Sequence, residues 1–142
     1  GMPLGAFIAD KKVMDSFTEF PVLGHINTFG GHPVCCAAGR AAMQFLLEEN
    51  VVQSVFAKEK LFIKNINSKF LKNIRSHGLM IALEFDNFEK NKKAIDTLIE
   101  NGVFTDWFLF SASSLRIVPP LTITEEEILK ACEIINEVIS KN

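Results

Sequence analysis

Residues 24–40, with the sequence GHINTFGGHPVCCAAGR, combine features that can bind an anion. The two adjacent glycines free the backbone for a tight turn, and Pro33 suits the first position of a helix because its φ is fixed and it has no N–H. Free N–H groups and the positive end of the helix dipole favour anions there. Thr28 can add a hydroxyl. Two interpretations stay open: an anion site, or a simple turn with a local threonine hydrogen bond.

Arg116 is a second residue with binding chemistry. It stands in the apolar stretch LRIVPP, where a guanidinium must either reach a surface or be paired. Its planar fork matches a carboxylate through two parallel hydrogen bonds. The partner can be a carboxylate of the protein, such as Glu84 on a neighbouring strand, or a carboxylate of a substrate. The residues alone leave both interpretations open.

Histidines and cysteines offer little further chemistry. His25 and His77 are candidate general bases, but neither has a carboxylate close by in sequence, which favours a turn or core role. The three cysteines include one adjacent pair and no C-x-x-C spacing. This pattern indicates reduced thiols of a cytoplasmic protein and argues against a metal site.

Length and composition limit the class of protein. A chain of 142 residues with 48% hydrophobic content can bury one core, and its net charge of −2 argues against a nucleic-acid partner. No apolar run is long enough to span a membrane, and the first residues lack the basic-then-apolar order of a signal peptide. We expect a soluble, cytoplasmic protein without a membrane partner.

The hydrophobic periodicity predicts the elements that hold these residues. A small-residue helix is predicted from Pro33 to about Asn50, and Thr124 and Glu127 form a capping box that opens the last helix. The remaining predictions are strands at 3–9, 79–85, 103–110 and 115–118, helices at 51–71 and 91–101, a short helix or turn at 11–17, and a serine-rich turn at 111–114. This order predicts an α+β fold with helices on one face of a small, mainly antiparallel sheet.

Four ordered motifs resemble one enzyme family. They are MPLGAF at 2–7, HINTFGGHP at 25–33, IRSHGLM at 74–80 and LRIVPPL at 115–121. Together they resemble the C-terminal part of class III aminotransferases, the pyridoxal-phosphate enzymes that include acetylornithine, ornithine and 4-aminobutyrate aminotransferases. The resemblance implies that 1–32 is a remnant of the large cofactor-binding domain. It implies that 33–142 is the interdomain helix and C-terminal small domain of a fold-type I enzyme.

The resemblance also assigns roles to individual residues. Thr28 would reach the cofactor phosphate held by the other subunit of a homodimer, and Asn27, which stands where many members have serine, would add an amide donor. Arg116 would bind the substrate carboxylate. The Schiff-base lysine of the family lies a few residues before the MPLGAF motif, which is before Gly1. We therefore expect no catalytic lysine in this chain, no pyridoxal phosphate bound by it alone, and no activity by itself.

The implied reaction transfers an amino group from an ornithine-like or other ω-amino donor to 2-oxoglutarate. The cofactor of the complete enzyme would be pyridoxal phosphate, and the partners would be amino-acid and 2-oxo-acid substrates. The alternative is a free-standing, non-catalytic binding or oligomerisation module derived from the same small domain.

Overall fold

The computed structural model describes residues 1–141. Their contacts divide the chain into two compact units, one that ends at Asn50 and one that begins at Val51. The small-residue helix therefore lies in the first unit with the segment that precedes it. The assignment of 1–32 to a large domain and 33–142 to a small domain stays a prediction.

The first unit holds two helices and buries none of its residues. Helix α1 spans Lys11–Met14, is capped by the Asp10 carboxylate and continues as a 3-10 turn over Asp15–Phe17, as predicted. Helix α2 spans Pro33–Glu48. The strand predicted at 3–9 is wrong, because the first unit contains no second strand that could pair with it.

The small residues of α2 allow another segment of the first unit to pack closely against this helix. The side chain of Leu4 lies against Gly39, where an added Cβ would collide with it. Only a residue without a side chain allows this approach. The small residues of the helix thus seat the segment before it within the first unit.

The second unit is the predicted α+β fold. Its main elements are α3 (Val55–Asn65), β1 (Asn73–His77), β2 (Met80–Glu84), α4 (Phe88–Glu100), β3 (Asp106–Phe108), β4 (Ser111–Ile117) and α5 (Glu125–Ser140). The four strands form one antiparallel sheet in the order β1-β2-β4-β3.

Alternation along the strands separates a packed face of the sheet from an open one. Ile81 and Leu83 of β2 and Leu115 of β4 are fully buried, in one cluster with apolar residues of the three helices. Met80, between the buried Leu79 and Ile81, is 58% exposed. Because successive side chains point to opposite faces, the helices cover one face and leave the other open.

The helix predicted at 51–71 is interrupted. It consists of a 3-10 turn at Val51–Ser54, helix α3 and a 3-10 turn at Ser68–Phe70. Asn136 of α5 explains the break, since its amide donates to the Asn65 carbonyl at 2.7 Å and accepts from the Asn67 N–H at 2.8 Å. These tertiary hydrogen bonds take backbone groups that a continuous helix would use, so α3 stops.

The sheet differs from the prediction in two places, one wrong turn and one missed strand. Ser111–Ile117 is one strand, so the serine-rich turn at 111–114 is wrong, and Phe108 pairs directly with Ser111 across a two-residue connection. The hydroxyls of Ser111 and Ser114 pair at 2.9 Å, which satisfies them inside the strand. Strand β1 was not predicted because four of its five residues are exposed and show no apolar alternation.

The last helix begins as predicted. The Thr124 N–H donates to Glu127 Oε2 at 2.8 Å, and the Glu127 N–H donates to Thr124 Oγ1 at 3.2 Å. Both bonds of the capping box are present.

Candidate functional site

The open face of the sheet brings charged residues into one row. Arg75 of β1 is the register partner of Ala82 in β2, Ala82 is the partner of Arg116 in β4, and Arg116 is the partner of Asp106 in β3. Two arginines therefore flank a strand that presents only a methyl group between them. Residues this far apart in sequence meet only because the strand order is β1-β2-β4-β3.

A groove of about 950 Å³ follows this row. Its charged lining comes from Arg75, Asp106 and Arg116, and its apolar wall includes Phe104, Leu109 and Phe110. All three wall residues are highly exposed. A concave, mostly apolar surface with a few polar groups and a volume of several hundred Å³ is typical of small-molecule sites.

Arg116 keeps its donors available in this groove. Its Nη2 lies 3.7 Å from Asp106 Oδ2, which is an ion pair longer than a hydrogen bond, and its side chain is 44% exposed. Its guanidinium forms no hydrogen bond with the part of the chain that the structure describes. Thr105 Oγ1 donates to the Arg116 carbonyl at 2.6 Å, so the strand position is held through the backbone.

The alternative partner predicted for Arg116 pairs elsewhere. The Glu84 carboxylate lies 3.8 Å from Arg75 and 3.7 Å from Lys72. The pairing of Arg116 with Glu84 is therefore wrong: β2 does lie beside β4, but the register places Glu84 opposite Ser114 and Ala82 opposite Arg116. Asp106 balances the charge of Arg116 without accepting a hydrogen bond from its guanidinium group.

Arg75 is a groove residue that the sequence did not reveal as one. Arg75 lies in the middle of β1, forms an ion pair with Glu84, and donates from Nη2 to Ser114 Oγ at 3.3 Å. Ser114 is fully buried, so the guanidinium is anchored to the sheet on one side. The sequence signal, an arginine in a short polar strand, was too weak to place it beside Arg116.

Thr28 and Asn27 lie in the first unit, in the loop before α2. The Gly30 N–H donates to the Asn27 carbonyl at 3.3 Å, and the Asn27 amide lies over Gly30, where an added Cβ would come within 3.2 Å of it. Both residues are exposed, and the Thr28 hydroxyl forms no hydrogen bond with residues 1–141. His32 provides no side-chain cap, and the first turn of α2 has no acidic residue. A free hydroxyl in the loop that leads into an uncapped helix has the chemistry to bind a phosphate.

His77 packs against an aromatic side chain of the same unit. Its ring lies edge-on to Phe56 with the centroids 6.0 Å apart.

No group of histidine, cysteine or acidic residues within residues 1–141 is arranged to hold a metal ion. Nor does any helix of that range combine the length and the apolar character that crossing a bilayer requires.

Comparison with known proteins gives one consistent family. The class-III aminotransferase family model matches residues 1–139. The acetylornithine aminotransferase of Caldanaerobacter subterraneus subsp. tengcongensis is 35% identical over 99% of this chain and 35% of its own length. The putrescine aminotransferase of Pectobacterium atrosepticum is 30% identical over 99% of this chain and 31% of its own length.

Solved structures agree with this match. The ornithine aminotransferase from Toxoplasma gondii superposes with a TM-score of 0.77 and 28% identity, over 92% of this chain and 31% of the other. The chain thus spans about one third of the length of the curated relatives it matches.

Proposed function

The chain belongs to the class III aminotransferase family, and from this premise we propose that it is the C-terminal part of an ω-amino-acid or amine aminotransferase. The donor class is supported by relatives that are named for acetylornithine and putrescine. The proposed acceptor is 2-oxoglutarate. The observation that carries the proposal is Arg116, whose unused guanidinium donors face a groove of small-molecule size.

Arg116 would bind and orient a substrate carboxylate. Two N–H groups of a guanidinium match the two carboxylate oxygens, and Asp106 at 3.7 Å holds the side chain without competing for those hydrogen bonds. The apolar wall of the groove would contact the carbon chain of the substrate. A charge-assisted hydrogen bond of this kind contributes about 1.5–3 kcal/mol.

Class III aminotransferases use pyridoxal phosphate, which supplies, when bound, the electron sink for the charge that develops at the reacting carbon. Thr28 would donate its free hydroxyl to the cofactor phosphate, and the Asn27 amide would add a second donor. In the homodimer that we propose, these residues serve the cofactor of the other subunit. The many exposed apolar residues of the first unit support a role for it in packing against further protein.

The lysine that forms the Schiff base in the family has no match among the lysines of this chain. We therefore propose that residues 1–142 do not catalyse transamination alone and bind no pyridoxal phosphate by themselves. A cytoplasmic location, small-molecule substrates and the absence of nucleic-acid and membrane partners remain proposals of the same kind.

The second candidate is a free-standing, non-catalytic module. The coding sequence upstream of Gly1 separates the two candidates. If the frame continues and encodes the lysine, the extended protein should transaminate an ω-amino donor with 2-oxoglutarate, and Arg116→Gln should lower kcat/KM by about 10- to 100-fold. Arg40→Gln, which changes an exposed arginine of the first unit, is the matched control. An in-frame stop immediately upstream would contradict the enzyme and support the module.

A further inference from the structure

We infer that Asp106 is a specificity-determining residue of the groove, which binds the α-ammonium group of an amino acid whose carboxylate lies on Arg116. The inference rests on the proposed function of Arg116 as the carboxylate ligand, and it narrows the class of donor. An α-amino acid with a free ammonium group, which is the ornithine-like class, fits both residues. An ω-amino acid that has no α-amino group fits Arg116 alone.

The carboxylate of Asp106 is oriented through one oxygen and leaves the other available. Oδ1 accepts a hydrogen bond from the Trp107 N–H at 2.8 Å, which holds the side chain against its own strand. Oδ2 lies 3.7 Å from Arg116 Nη2, which is too far for a hydrogen bond, and it accepts none from residues 1–141. The side chain is 48% exposed and lines the groove, so a ligand there can contact this oxygen.

The spacing of the two charges matches an α-amino acid. The N–Cα and Cα–C bonds of such a molecule place its ammonium nitrogen and its carboxylate carbon about 2.5 Å apart. Because Asp106 Oδ2 and Arg116 Nη2 are 3.7 Å apart, each can form a hydrogen bond of about 2.8 Å to its own end of one zwitterion. The ammonium group of an ω-amino acid can contact Asp106 only if the carbon chain folds back, which costs conformational entropy.

The surroundings of Asp106 also favour a cation. Among the described residues that line the groove, Asp106 is the one carboxylate. Phe104 and Phe108 line the groove as well, and the faces of aromatic rings attract cations. Asp106 and Arg75 lie on the two opposite edge strands of the sheet. Three strand spacings separate their backbones by roughly 14 Å, so the charge of Arg75 is distant from the proposed ammonium site.

Charge balance alone would give Asp106 a different role. In that case the carboxylate would only offset the charge of Arg116, and its removal would strengthen the binding of every monocarboxylate in the same proportion. L-norvaline and 5-aminopentanoate are isomers with the same net charge, and they differ in whether the ammonium group is on the α carbon or at the far end of the chain. The ratio of their dissociation constants therefore separates ammonium binding from charge balance.

The experiment is a pair of NMR titrations of the full, ¹⁵N-labelled 142-residue chain with these two isomers at neutral pH and constant ionic strength. The amide shifts of Ala82 and Thr105 report the groove. L-norvaline is expected to bind about fivefold more tightly, which is the effect of one partly exposed charge pair. Asp106→Asn keeps an acceptor for the Trp107 N–H and should remove this preference. Asp96→Asn, which removes an exposed carboxylate of α4, is the matched control and should leave the preference unchanged.

Each outcome has a separate meaning. A preference that persists in Asp106→Asn, or equal affinities of the two isomers for the parent chain, would overturn the inference and leave Arg116 intact. Arg116→Gln should weaken both isomers, and unchanged binding of both would contradict the proposed function itself. No binding by the parent chain would overturn the inference, while the assay of the extended protein tests the function independently. If Asp106→Asn does not fold, Asp106→Glu moves the charge by one methylene group and should reduce the preference by at least about twofold, and an unchanged preference would again overturn the inference.

Discussion

The thiol of Cys132 makes the stability of the second unit depend on pH in a way that the structure specifies. Cys132 lies on α5, is 2% exposed and belongs to the apolar core. Burial raises the pKa of this thiol from its usual 9.0 to about 11. The unfolded chain therefore loses the proton first. The contribution of this thiol to the free energy of unfolding is fully present below pH 9, and it is lost as the pH rises toward 11.

The magnitude follows from the two pKa values. One pKa unit corresponds to about 1.4 kcal/mol, so the free energy of unfolding should fall by about 2 kcal/mol between pH 9 and pH 11 through this group. The slope is negative because, over this range, the unfolded state binds fewer protons than the folded state.

The measurement compares the parent chain with Cys132→Ala in denaturant titrations from pH 8 to pH 11 in reducing buffer. Trp107, the single tryptophan, lies in the second unit and reports its unfolding by fluorescence. The variant should be less stable by about 1 kcal/mol at pH 8 and more stable than the parent at pH 11, so the two curves cross. Other titrating groups cancel in the difference. Parallel curves over the whole range would refute the burial of a neutral thiol at this position.

Three further predictions concern packing, element boundaries and cofactor binding. Leu83→Ala, on the packed face, should cost about 2–5 kcal/mol in the same denaturant assay, whereas Met80→Ala on the open face should change stability by less than about 0.5 kcal/mol; equal costs would contradict the two-faced sheet. Asn136→Ala removes the hydrogen bonds to the Asn65 carbonyl and the Asn67 N–H and should cost about 1–3 kcal/mol, with loss of amide-exchange protection at Asn67 as the local readout. Pyridoxal phosphate followed by borohydride should leave no stoichiometric adduct in the intact mass, and one fully modified lysine would show that a cofactor site is complete within the chain.

Local signals predicted much of the second unit from the residues alone. The alternation around Leu83 indicated β2, and the reciprocal threonine and glutamate side chains indicated the start of α5. Both signals depend on neighbours within a few residues, so they survive without tertiary information. The periodicity of 91–101 likewise found most of α4, which begins slightly earlier, at Phe88.

Other features depended on partners that are distant in the chain. The segment at 3–9 looked like a strand but has no partner in its unit, and the helix predicted at 51–71 stops where Asn136 takes its backbone groups. Strand β1 carries almost no apolar alternation because it lies at the edge of the sheet. In each case the decisive hydrogen bonds come from outside the local window that a pattern can sample.

The candidate site divides in the same way. The motifs around Thr28 and Arg116 identified the family and the two kinds of binding group, because residue type alone determines what a hydroxyl or a guanidinium can hold. Only the tertiary structure decided the partners, since the register of the sheet places Asp106 opposite Arg116 and Ser114 opposite Glu84, and Glu84 forms its ion pairs with Arg75 and Lys72. The groove lined by the two arginines exists because β2 and β4 pair, and the spacing of residues along the chain does not encode that pairing.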